Sequence, residues 1–321
     1  MVIESTAKDG GTGTVTSPSI QAPVALFARA RVTAGDERVF LCKVAVLTVL
    51  TGAGAALAVN GHLLVAAAGI VLVAAMYTHA VELQHQCLHH SAFRRALPHR
   101  VVGVMLGLPL LVVYSHYRLR HLQHHRYLGT PDDTEFFGFD TRRPLTAGHL
   151  LRSAFDYRRL VTVCADIGRC ATGRWVYPFS DVKPAVRRHI VVEHLLLGTV
   201  LVGAAALAVT GRGDYMLRLW LLPLLLAVPL HFVIELPEHI LCDTDTTEVL
   251  RNTRSIRGSW FSTWFTNGNN LHIEHHAAMA VPINHLPSRH HEVRRLAVHV
   301  ERTYWDFCRR LWTAVRTGTH A

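Results

Sequence analysis

Cysteine is scarce in this sequence and nowhere arranged for chemistry. Cys42, Cys87, Cys164, Cys170, Cys242 and Cys308 include no CxxC pair, which excludes a thioredoxin-like motif, a zinc ribbon and a small disulfide framework. They are expected to be reduced thiols, on the cytosolic side or within a membrane. The HExxH pattern is missing too, and with it the general base beside an open zinc site that a zinc membrane hydrolase needs. Residues 1–35 are rich in Gly, Ser, Thr and Ala but lack a basic start followed by an apolar core, so a flexible N-terminal tail on the cytosolic side is expected rather than a cleaved signal peptide. Charge is thin: 17% of residues, against 50% hydrophobic. The mean hydropathy of +0.21 is high for a soluble enzyme and low for a chain made wholly of membrane spans, so a mixed protein is implied. No solenoid-type repeat is present.

What is there begins with four apolar stretches near 40–59, 63–81, 190–210 and 215–234, each about the length that crosses a bilayer. Asn60, Gly61 and His62 join the first two, and Gly211 to Asp214 join the second two. The expected architecture is therefore all-α and integral to the membrane: four transmembrane helices in two hairpins, forming one domain over 36–321. Segments 82–189 and 235–321 carry nearly all the Arg and Lys, which places them in the cytosol as a helical cap, together with both termini. Val101–Tyr114 is apolar but short and contains Pro109, as an interfacial or re-entrant helix would. Val293–Val315 reads as one amphipathic helix, either lying on the membrane surface or packing on the cap. The formal charge of +10 falls between apolar runs. An anionic lipid surface or an acidic acyl carrier fits that placement better than nucleic acid does.

Histidine is the abundant exception. The 23 histidines are clustered, in His85-Gln86-Cys87-Leu88-His89-His90, His121-Leu122-Gln123-His124-His125 and His272-Ile273-Glu274-His275-His276, with His239 just past the fourth apolar stretch. Helical residues three and four apart share a face, so each cluster offers several imidazoles over one turn. Adjacent histidines point about 100° apart and can serve two neighbouring ions. In the first cluster helical facing favours His89, with His90 in reserve. Such a set exceeds the four or so ligands of a zinc ion; imidazole alone does not name the metal. Isolated histidines (His79, His99, His149, His189, His194) read as surface, interfacial or satisfied polar contacts, and His231 as core packing or support for the site. Glu82, Glu235 and Glu238 could orient imidazoles, hold a water or pair with arginines. Asp132 and Asp133 could support the second cluster or lie in a solvated turn after Pro131. Trp260, Trp264 and Phe265 could line an acyl channel or anchor at the interface.

These boxes, spaced between two helical hairpins, resemble the membrane fatty-acid-desaturase/hydroxylase superfamily over roughly residues 40–295. Arg118 to His121, Arg126 to Asp133, Asn252 to Ser255 and Val281 to Pro287 support the resemblance. It implies that His85, His89, His121, His124, His125, His239, His272, His275 and His276, with His90 as a reserve, hold two irons that activate O2 and abstract hydrogen from an unactivated carbon. It implies an oxidoreductase, most simply a fatty acyl desaturase, with a hydroxylase or ketolase as alternatives on the same scaffold. A non-catalytic metal-binding membrane protein is the alternative of a different class. The implied partners are the lipid bilayer, an acyl substrate on lipid, coenzyme A or acyl carrier protein, and an external electron donor such as ferredoxin or a reductase. The first box has Gln86-Cys87-Leu88 where many relatives have an acidic residue and glycines, and Asn267-Gly268-Asn269-Asn270-Leu271 precedes the third where an aromatic approach is usual. Both departures bear on substrate more than on metal.

Overall fold

A computed structural model describes residues 30–130, 132–134, 143–244 and 246–318. Most of the expected N-terminal tail and Pro131 lie outside the described residues. Helix α1 (Ala34–Ala58) starts at a capping box in which Thr33 and Asp36 satisfy each other's backbone N–H groups. After the short link at Asn60–His62, α2 (Leu63–Leu88) runs for 26 residues. That is about 39 Å of helix against a hydrocarbon layer of about 30 Å, so its last turns project beyond the apolar layer.

The α1–α2 hairpin closes through small residues. A Cβ on Gly69 would meet the Ala58 nitrogen at 2.3 Å and the Gly54 oxygen at 2.6 Å. Lipid gives no hydrophobic drive to helix pairing, so backbones this close gain their stability from van der Waals contact. Helix α2 is the centre of the bundle. Its flanks pack against α1, against α3 (Ala96–Gly107), and against α8 (Leu222–Glu235). The outer helices keep apolar side chains facing outward, among them Val49 at 69%, Val202 at 70% and Val209 at 85% exposure, as helices bathed in hydrocarbon do.

Helix α3 and its 3₁₀ extension to Leu110 meet α4 (Tyr114–Tyr127) at 96°. This bend turns the chain sharply at the end of the short apolar run before Tyr114. The amphipathic α5 (Ala147–Ala154) and α6 (Arg158–Ala171) follow. They lead into α7 (Pro184–Leu207), which opens a long helical tract reaching Glu238. That tract is broken where two separate spans are expected to meet. Thr210 and Gly211 leave helical geometry, with Gly211 at φ +92°, a conformation glycine adopts without steric penalty. Its two ends lie at one level: Glu193 takes hydrogen bonds from Arg100 and Ser115, and His239 joins the histidine cluster. Near the break, Arg218 reaches the Asn60 carbonyl at the opposite level. The tract therefore folds back on itself. Among the described residues three helices, or four counting the bent α3–α4 pair, are long and apolar enough to cross a membrane.

One expectation needs correction. The C-terminal run is not one helix: α11 (His290–Leu296) and α12 (Tyr304–Thr317) are separated by the strand β2 (Val300–Glu301). That strand pairs in parallel with β1 (Ser255–Ile256), so an otherwise helical fold carries a two-residue ladder. The amphipathic pattern persists on both sides of β2, which hides the interruption from periodicity.

Replacing Gly69 with valine forces α1 and α2 apart. Gly52, around whose Cβ position there is nothing within 4 Å, is the control. We expect Gly69→Val to reduce the yield of monodisperse protein in detergent several-fold and Gly52→Val to leave it unchanged, as read by size-exclusion chromatography.

Candidate metal centre

Four segments carry the site. The last turns of α2 bring His85 and, at the helix C-cap, His89. Helix α4 brings His121, His124 and His125. His239 ends the 3₁₀ turn Leu236–Glu238 after α8, and α10 (His272–Ala277) brings His272, His275 and His276. These nine side chains assemble into two groups with mutually close donor atoms: His85, His89, His121, His125 and His275 in one, and His124, His239, His272 and His276 in the other. Adjacent histidines are divided between the groups, His124 from His125 and His275 from His276, as their 100° offset on a helix requires. The groups touch where the His125 and His276 rings stack at 4.0 Å.

His90 stands apart. Helix α2 ends at Leu88, and His90 adopts φ +55°. This turns its ring onto His99, with centroids 4.7 Å apart. Of the two candidates in the first box, the structure brings His89 into the cluster and leaves the reserve residue outside it.

The nitrogens are too crowded for imidazoles alone. His121 Nε2 lies 2.7 Å from His85 Nε2, 2.8 Å from His89 Nε2 and 3.0 Å from His125 Nε2. In the other group His239 Nε2 lies 3.2 Å from His124 Nε2 and 3.1 Å from His272 Nε2, which is 3.1 Å from His276 Nε2. A neutral imidazole has one N–H and one lone pair, so these contacts cannot all be hydrogen bonds, and where His124, His239 and His272 donate from Nδ1 their Nε2 lone pairs face one another. A cation among them turns that repulsion into ligation. Nitrogens about 2.1 Å from one ion and at right angles lie about 3.0 Å apart, which is the spacing seen. His272 and His276 are held toward the neutral form that ligation needs. Burial, then crowding by His239 and His275, holds His272 well below the ordinary histidine range. Burial with His272 and His239 does the same to His276.

The backs of several rings are anchored. His124 Nδ1 meets Asp133 at 2.8 Å, His239 Nδ1 the Asn252 carbonyl at 3.2 Å, and His272 Nδ1 the Asn269 amide oxygen at 3.0 Å. Such contacts fix the tautomer and aim Nε2 inward. Asp132 remains exposed in its turn. Glu238 is placed differently: its carboxylate approaches His272 at Nε2, 3.2 Å away, and so sits on the inner side of the ring. Glu82 and Glu235 flank His231, at 3.6 and 3.1 Å.

The fatty acid desaturase family model matches residues 60–307, a stretch that contains every histidine of both groups. The chain belongs to the fatty acid desaturase family. No curated protein matches it. The family makes it an oxidoreductase, and the apolar helices with the family make it a membrane protein.

Two supports of this desaturase-family centre were not evident from sequence spacing. Arg254, 1% exposed, donates to the carbonyls of Pro237, Ile240 and Leu241 at 2.8, 2.6 and 3.1 Å. It thereby fixes the turn that carries His239. Glu274, inside the third box, is fully buried and joins Ser255 Oγ to His290 Nδ1, which pins α10 to β1 and α11. The two departures from the family pattern meet each other: Asn267 Nδ2 donates to Gln86 Oε1 at 3.1 Å and to the Glu82 carbonyl at 3.1 Å. Trp264 and Phe265 pack beside His79, whose Nδ1 bonds the Phe265 carbonyl, while Trp260 is 81% exposed.

Arg254→Met keeps the bulk but takes the guanidinium donor from three carbonyls, of which Ile240 keeps only the Cys242 thiol. Each buried unpaired group costs about 1–3 kcal/mol. We expect a loss of several kcal/mol in stability, read as a lower melting temperature, together with reduced metal retention through the His239 turn.

Proposed function

We propose that this chain is an O2-dependent di-iron oxidase of the membrane that inserts a double bond into an acyl chain. The observation that carries the reading is the division of nine converging imidazoles into two touching groups of five and four. His85, His89, His121, His125 and His275 would hold one iron, and His124, His239, His272 and His276 the other. When bound, the irons supply O2 activation and hydrogen abstraction from an unactivated methylene.

The chain's own residues do the rest. Asp133, Asn252 and Asn269 hold protons on the outer ring nitrogens and keep the inner ones free. Glu238 faces the second group and can hold a water beside it. Forming the alkene removes two hydrogens from the substrate; with two electrons and two protons, O2 leaves as two waters. His231, between half-buried Glu235 and buried Glu82, offers a path for those protons through its Nδ1 and Nε2. The electrons would come from a donor such as ferredoxin or a reductase docking on the basic face. The four spans form two hairpins, with the cap, the centre and both termini in the cytosol, because basic residues concentrate on that side. The acyl group arrives from the bilayer, coenzyme A or an acyl carrier.

The test is expression in a host without desaturation activity, together with a reductase system, followed by profiling of lipids and acyl products. The account expects acyl products two hydrogens lighter, about two irons per chain, and loss of both in His124→Ala/His275→Ala. Alcohols in place of alkenes would overturn the desaturation reading, and an iron-free chain would overturn the oxidase reading.

A further inference from the structure

We propose that His116, Asp166 and His194 form a separate divalent-cation site of the zinc class, clamping α4 to α6 and α7. None of the three belongs to the nine-histidine centre. Each offers a ligand atom, and these atoms lie within 4.8 Å of one another. They come from three helices: His116 from the first turn of α4, Asp166 from α6, and His194 from α7.

The donors are set for an ion rather than for each other. No hydrogen bond joins any two of the three among the described residues, although His194 and Asp166 are buried and His116 is half-buried. His194 donates from Nδ1 to the Ile190 carbonyl at 2.8 Å. Its proton is therefore on Nδ1, and the Nε2 lone pair faces inward. That backbone contact is the usual support of a metal-bound histidine. Asp166 takes Arg169 on Oδ1 at 2.7 Å, which leaves Oδ2 for an ion. The indole of Trp175, 2% exposed, stands edge-on to His116 at 5.4 Å and walls the site from solvent. Two imidazoles and one carboxylate make a donor set that zinc accepts, with a fourth position for water.

The consequence is positional. His116 lies five residues before His121, on the helix that carries the whole second box. An ion here fixes the first turn of α4 against α7 and so sets the depth and rotation at which His121, His124 and His125 enter the main centre.

The experiment uses the full chain in detergent, in the His124→Ala/His275→Ala background, which weakens the main centre and makes the result independent of what that centre binds. Samples are dialysed against Zn2+ or Co2+, and metal content is read by mass spectrometry and the Co2+ samples by visible absorption. We expect Asp166→Asn and His194→Ala to lower bound metal by about one ion per chain and to remove a tetrahedral Co2+ band. His194→Cys, which restores a zinc ligand, retains both the ion and a shifted band. Undiminished metal in Asp166→Asn and His194→Ala overturns the proposal. So does loss of the ion in His194→Cys, the variant that decides if the other two fail to fold.

Discussion

The rest of the structure is arranged around a crowding of imidazole nitrogens that a bound cation would relieve. Imidazole lone pairs from four distant segments are packed about 3 Å apart, an arrangement with too few N–H groups to satisfy it. Everything around the centre holds those rings in place against this crowding. Helix α2 carries two of them past the apolar layer, the right-angled bend before α4 aims three more, and Arg254 and Glu274 lock the segments bearing His239 and the third box. The free energy of ion binding would then also be free energy of assembly.

The apolar bundle has a simpler task, which is to present the ends of α2 and α8 at one level. Close contact at Gly54 and Gly69 fixes the first hairpin, and the break at Thr210 and Gly211 permits the return of the second half. Between the two, Glu193 links α7 to the base of α4 through Ser115 and to α3 through Arg100. The bundle and the centre are thereby joined by polar contacts as well as by apolar packing.

Much of this was legible in the sequence, because helical periodicity acts over short distances. The boxes could be read from i, i+3 and i+4 spacing, and the sorting of adjacent histidines to different groups from the 100° step. The apolar stretches could be read from their length. Features set by tertiary contact could not. Helical facing favours His89, but the stop of α2 at Leu88 and the positive φ that turns His90 onto His99 are not written in the spacing. The strand β2 interrupts the C-terminal run because Val300 and Glu301 pair with Ser255 and Ile256, far away in sequence. Arg254 reads as one more basic residue until three carbonyls are seen around it. His116, Asp166 and His194 share no motif spacing; only the packing of α4, α6 and α7 brings them together.

The central claim is that two neighbouring ions sit among these rings. The most direct measurement is a density map of the iron-loaded protein with anomalous scattering at the iron edge. The account predicts two peaks, one within reach of His85, His89, His121, His125 and His275 and the other within reach of His124, His239, His272 and His276. A single peak, or rings that point away from one another around none, would contradict it.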